Sequence, residues 1–318
     1  MLVADKKRRG TDEFVESLES FDPACGRQDG GKKIKKIRPV SAIYVTLLII
    51  CAAALIVCGV KIAMNLIDKA KGKQLYDDAA TIFVPSSMFL TDSENGADGE
   101  PDKISDNIEG KYSSDKSGKN KKGVDMNNVI ASLGSLKEVN PDVIGWIYVE
   151  GTSINYPLLR SSTGDDDYYL NHAYNGEYLS VGSIYMVSAC DENFENNFNT
   201  LIYGHNLVNG GMFHDIGKFF DPSFFPTKIY IFTLDGVYVF QPFSVYKTQS
   251  DYYYIRTDFP SESEFLNFAA EMKNNSEVYS DISIGEGDHM LTLSTCTGTG
   301  VVSAARYTLQ AKLVEIMK

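Results

Sequence analysis

The sequence predicts a mostly β domain, a sandwich or a barrel, carried behind a single transmembrane helix. Three observations predict it. Val40 to Val60 holds no charged residue over about 21 positions, enough to cross a hydrocarbon core at roughly 1.5 Å per residue. Beyond about residue 124, many short apolar or alternating runs are separated by turn pairs such as Asn175-Gly176 and Asp235-Gly236. Among them, Met126–Leu133 and Ser261–Met272 stand out for apolar residues at helical spacing.

Composition narrows the function classes. With 318 residues, 43% of them hydrophobic, the chain can bury a core of one or two domains. A formal charge of −12 argues against a general nucleic-acid binder, because no domain-wide basic footprint exists. The five cysteines, at positions 25, 51, 58, 190 and 296, form neither a CxxC metal spacing nor a dense disulfide framework. No cofactor and no metal are expected.

Taken in order, residues 1–38 read as a cytoplasmic tail, basic through Lys6-Lys7-Arg8-Arg9 and the lysines before Arg38. Residues 39–61 are the transmembrane helix. The denser positive charge before it puts the N-terminus in the cytoplasm and the rest outside the cell. Cys51 and Cys58 fall within the span as small packing residues. Residues 62–123 read as a juxtamembrane segment and, from Thr91 to Gly123, a flexible linker of Asp, Ser, Gly, Lys and Asn that tethers the next domain to the membrane.

The folded domain is expected over residues 124–318. It opens with a helix capped by Asp125, with apolar residues at 126, 129, 130 and 133, and Asn140-Pro141 ends it. Strands are expected at Val143 to Val149, Ile154 to Leu159, Val181 to Val187, Thr200 to Tyr203, Ile229 to Thr233 and Val237 to Val245. Ser261 followed by Glu264 caps an amphipathic helix ending near Met272, with Phe265, Leu266, Phe268, Ala269 and Met272 on its apolar side. Last come two alternating runs, Met290 to Cys296 and Arg306 to Leu313, joined by a loop containing Thr297-Gly298-Thr299-Gly300. An antiparallel pair would bring Arg306 in as Cys296 leaves, and a cation beside a thiol favours a thiolate.

A nucleophilic cysteine needs a base, and four histidines are available. His205 follows the strand through Gly204 and sits at its end. His289 lies at the far end of the cysteine strand, some 20 Å away at ~3.3 Å per residue. His172 and His214 fall in loop-like segments and suit surface or packing roles. Cys296, His205 and Arg306 together would serve acyl transfer, although a strand-end cysteine also suits plain packing. Cys190, with no nearby cation and followed by Asp191 and Glu192, is the weaker nucleophile, and a disulfide between it and Cys296 would inactivate the site.

Leu293-Ser294-Thr295-Cys296 with Arg306 ten positions on, preceded by Tyr203-Gly204-His205, resembles the sortases, the membrane-tethered cysteine transpeptidases of Gram-positive bacteria. Val143-Ile144-Gly145-Trp146-Ile147, Ile154 to Leu159, Gly182 to Met186, Tyr254 to Phe259 and the helix after them are similar to class B. The resemblance implies a closed, eight-stranded barrel with an N-terminal and an inserted helix, the cysteine strand lying between those of His205 and Arg306. It implies that Cys296 carries the thioester, His205 acts as acid and base, and Arg306 stabilises the oxyanion. It further implies that Asn155, Leu159, Ser294, Tyr254 and Ile255 line a groove for a C-terminal sorting signal, NPxT[N/G]- or LPxTG-like. The expected partners are surface proteins bearing that signal and an amine of a cell-wall precursor or pilin. Thr297 and Asn206 depart from the class B pattern and bear on substrate preference. The rival readings are a cysteine endopeptidase that uses water and a non-catalytic, membrane-tethered binding module.

Overall fold

With no charge to interrupt it, the apolar run folds as helix. In a computed structural model, which describes residues 39–91, 121–298 and 304–318, helix α1 covers Pro39–Ile82. The expected basic tail, nearly all of the linker, and Thr299 and Gly300 lie outside the described residues. The chain divides into two units, Met1–Cys58 and Gly59–Lys318. In the first, the described part of α1 is uncharged, and side chains such as Leu48 and Leu55 are exposed. It belongs to the one helix among the described residues that is long and apolar enough to cross a membrane.

In the second unit, α1 continues past the end of the expected membrane span at residue 61 to Ile82 and changes character. Tyr76, Ala79 and Phe83, at helical spacing, are buried in the domain core. The Phe83 ring stacks on Trp146 at 4.9 Å and meets Phe232 edge-on at 5.2 Å. A short helix α2 (Pro85–Met88) leads into strand β1 (Phe89–Thr91), which pairs antiparallel with β2 (Lys121–Val124) through Phe89↔Val124. Residues expected to form a juxtamembrane segment are built into the domain because Tyr76, Phe83 and Phe89 are buried in its core, and the ends of the expected tether join it through the β1–β2 pairing.

Helix α3 (Met126–Val139) begins at Asp125, whose carboxylate accepts from the Asn128 amide at 3.2 Å, a cap worth about 1 kcal/mol. It buries Val129, Leu133 and Leu136, whereas Ile130 is exposed. The barrel strands are β3 (Val143–Val149), β4 (Asn155–Arg160), β5 (Ile184–Met186), β6 (Asn199–Tyr203), β7 (Ile229–Phe232), β8 (Val237–Gln249), β9 (Met290–Cys296) and β10 (Ala305–Met317). They close in the order β10-β8-β7-β3-β4-β5-β6-β9, with β9 returning to β10. Pairs β4–β5 and β6–β9 are parallel and the others antiparallel.

Departures at β5, β8 and β9 have physical reasons. β5 does not begin at Val181, because Gly182 takes φ +57°, a conformation no strand accommodates. β8 runs on to Gln249, because β10 pairs along its whole length. β9, expected to be half-buried, is buried on both faces up to Thr295, since closure puts one face inside the barrel and neighbouring segments cover the other. One of the covering elements is the 3-10 turn Tyr253–Ile255, whose Tyr254 bonds Ser294. Helix α4 (Glu262–Asn274) follows, with Ser261 Oγ accepting from the Glu264 amide at 3.3 Å and Phe265, Phe268, Ala269 and Met272 facing inward.

Because Phe83 is fully buried between Trp146 and Phe232, Phe83→Ala is expected to cost about 3 kcal/mol or more of stability. A fall in the urea midpoint at constant slope measures it.

Candidate active site

The rim of the barrel is organised by the strands flanking β9. β6 runs parallel to it, in register from Asn199↔Met290 to Tyr203↔Ser294, so both strands finish at the same edge. The Gly204 amide extends the ladder to Ser294 O at 3.3 Å, and His205 follows at once. Gly204 is required there, since a Cβ would lie 2.8 Å from the Phe213 ring. On the other side β10 runs antiparallel, and its register sets Arg306 directly opposite Cys296. His205, Cys296 and Arg306 thus converge on one rim, all three half-buried.

Hydrogen bonds hold this rim. A carbonyl can only accept, so the 2.8 Å contact between His205 Nε2 and Leu170 O puts a proton on Nε2 and leaves Nδ1 as the other ring nitrogen. Asn206 donates from Nδ2 to the Cys296 carbonyl at 2.8 Å, while its Oδ1 accepts from His214 Nδ1 at 2.8 Å. Sequence reasoning saw Asn206 only as a departure from a pattern and gave His214 a surface or packing role. With 90 residues between Asn206 and Cys296, no local signal could have found the contact.

Beneath the thiol, Ser294 Oγ and the Tyr254 hydroxyl are 2.9 Å apart. Burial raises the Tyr254 pKa, and Cys296 adds to that while Ser294 and Arg306 oppose it. Burial raises Tyr203 too, again against the pull of Arg306. The guanidinium therefore acts on both tyrosines. Of the five residues expected to line a groove, Leu159, Ser294 and Tyr254 are buried. Ile255 is exposed, and Asn155 is half-buried, with its Oδ1 accepting from Trp146 Nε1 at 2.7 Å. Asn155 also lines a cavity of about 220 Å³ against α1.

The remaining candidates are set apart from this rim. His289 bonds the Asn197 carbonyl at the opposite end of β9, and His172 stacks on Tyr168 at 3.9 Å. Burial pushes the Cys190 thiol up to about 11, outweighing the opposing charge of Arg160, so desolvation rather than its acidic neighbours makes it inert. Its Sγ donates to Asn199 O at 3.7 Å. Asn199 pairs with Met290, six residues from Cys296 or roughly 20 Å along the strand, which excludes a Cys190–Cys296 disulfide in this fold.

Comparison with known proteins matches residues 147–314 to the sortase domain. Sortase B of Listeria monocytogenes serovar 1/2a is 38% identical over 188 residues, which cover 57% of this chain and 74% of that protein. The Staphylococcus aureus sortase B–substrate complex is 34% identical with a TM-score of 0.54, covering 59% of this chain and 86% of the other. Sortase B of Bacillus anthracis in complex with AAEK1 has a TM-score of 0.58 at 28% identity, covering 79% of this chain and 99% of the other. The matched residues include the thiol flanked by a histidine strand and an arginine strand on the closed barrel. The chain belongs to the sortase family of cysteine transpeptidases, within class B.

Proposed function

We propose that Cys296 is the nucleophile, His205 the acid and base, and Arg306 the oxyanion-stabilising cation of a transpeptidase that cuts a C-terminal sorting signal after its threonine. The observation that carries this reading is the register pair Arg306↔Cys296, with His205 leaving the adjacent parallel strand at the same rim. The Cys296 thiolate attacks the threonine carbonyl carbon, and the oxyanion that forms faces the guanidinium. The C–N bond then breaks as His205 passes a proton to the leaving amine, and a thioester remains. An acceptor amine attacks the thioester carbonyl, His205 takes its proton, and the thiolate departs with a new amide formed.

The signal is NPxT[N/G]- or LPxTG-like, and the acceptor is an amine of a cell-wall precursor or pilin. Asn155 and Ile255, the accessible members of the expected groove, contact the signal. Leu159, Ser294 and Tyr254 act from behind it. Helix α1 anchors the chain, with the basic N-terminal tail in the cytoplasm and the catalytic domain outside the cell. Denser positive charge before the span than after it supports that orientation.

Incubation of the full chain with a panel of signal peptides, with and without an amine, tests the reaction. Cleavage after threonine with amine-dependent ligation is expected, cleavage indifferent to amine would make the chain an endopeptidase, and a folded chain inert to the panel would refute the assignment. Cys296→Ala is expected to abolish turnover, and Arg306→Lys to lower kcat about 100-fold, as measured by peptide kinetics. A thiol reagent should modify Cys296 in the folded chain, whereas Cys190, buried with its pKa near 11, should react only after unfolding. Peptide mapping of the modified chain reads this out.

A further inference from the structure

The His205 ring is held by a chain of contacts that leads back to α1. The Leu170 carbonyl that accepts from Nε2 ends the 3-10 turn Tyr168–Leu170. Gly182 packs against it, with φ +57°. A Cβ there would lie 2.6 Å from Leu170 O, 2.7 Å from Tyr169 O and 3.0 Å from His205 Cδ2. Only glycine allows this backbone to touch the carbonyl and the ring together.

Tyr76 of α1 holds Gly182 in turn. Its hydroxyl donates to Gly182 O at 2.6 Å and lies 2.9 Å from Ser183 Oγ, whose own proton goes to His172 O at 2.8 Å. The Ser183 amide donates to Tyr169 O at 2.9 Å, tying the two segments again. Tyr76 is itself fixed, being 6% exposed and packed edge-on against Tyr156 at 5.3 Å. One turn earlier Gly72 abuts Val181 so closely that a Cβ would fall 2.5 Å from its Cγ2. Lys71 pairs with Glu177.

We propose that the domain-side turns of α1 set the tautomer of the catalytic histidine. Tyr76 fixes Gly182, Gly182 fixes the Leu170 carbonyl, and that carbonyl keeps a proton on Nε2, so that Nδ1 exchanges protons in the reaction. The proposal rests on the assignment of His205 as the acid and base. Tyr76 and Gly182 are positioning residues: they touch no reacting atom. The helix that anchors the chain is then also a part of its proton-transfer apparatus.

The test uses the full chain in detergent micelles with 15N-labelled histidine. Long-range 1H–15N spectra, at a pH where the ring is neutral, report the tautomer, and His205→Gln identifies the His205 signals. Wild type is expected to show the Nε2–H form. Tyr76→Phe keeps the ring but drops the hydroxyl, and is expected to mix the tautomers and lower kcat about tenfold, with KM within twofold. Phe83→Ala loosens the same segment without touching the hydroxyl, and its folded fraction is expected to keep the Nε2–H form and wild-type kcat. A Tyr76→Phe chain that retains either the wild-type tautomer or the wild-type kcat overturns the proposal, as does an Nδ1–H form in wild type. Inactivity of the wild type would strike the assignment of Cys296 and His205 instead, and the tautomer spectra would still decide the link.

Discussion

Everything at the rim depends on the parallel pairing of β6 with β9. Hydrogen bonds from Asn199↔Met290 to Tyr203↔Ser294 force the two strands to end together, and no other arrangement of this sheet would set His205 beside Cys296. An antiparallel neighbour would have carried the histidine to the far rim, where His289 sits, roughly 20 Å away. The antiparallel β10 completes the constraint by fixing Arg306 opposite the thiol. A slip of one residue in either ladder would turn the side chain to the other face of the sheet.

Burial gives that pairing its rigidity. β9 is enclosed on both faces up to Thr295 and emerges only at Cys296, so the thiol sits on the last residue of an otherwise buried strand. Two of its buried polar positions are answered inside the protein, Thr292 by Asn199 at 2.8 Å and Ser294 by Tyr254 at 2.9 Å, while the buried Thr295 hydroxyl has no partner among the described residues. Asn206 extends the support to the Cys296 carbonyl. The two cysteines of the domain show the difference that placement makes: Cys190 lies in the core with its thiol driven towards the neutral form, while Cys296 stands half-exposed in reach of a cation.

Much of this is legible in the order of the residues. β3 and β9 span the runs expected at Val143 to Val149 and Met290 to Cys296, both caps fall at Asp125 and Ser261, and the expected antiparallel pairing sets Arg306 opposite Cys296. The approach of His205 to Cys296 is not legible from spacing, because a parallel pair leaves no turn signal, and only family resemblance implies it. The inward face of α1 escapes a sequence reading for another reason. Tyr76, Ala79 and Phe83 do carry helical periodicity, but the apolar span before them and the polar segment after them disguise it as a juxtamembrane spacer. Asn206 and Leu170 act through contacts far apart in sequence, and the part played by Leu170 is a backbone atom that no side-chain motif records.

The most direct measurement of the central claim is the identity of the residue that carries the acyl group. Acid quenching during turnover of a sorting-signal peptide, followed by peptide mapping, should find the acyl mass on the segment containing Cys296, released by hydroxylamine as a thioester is. An adduct on any other residue, or turnover with no acyl-enzyme at all, would contradict the account.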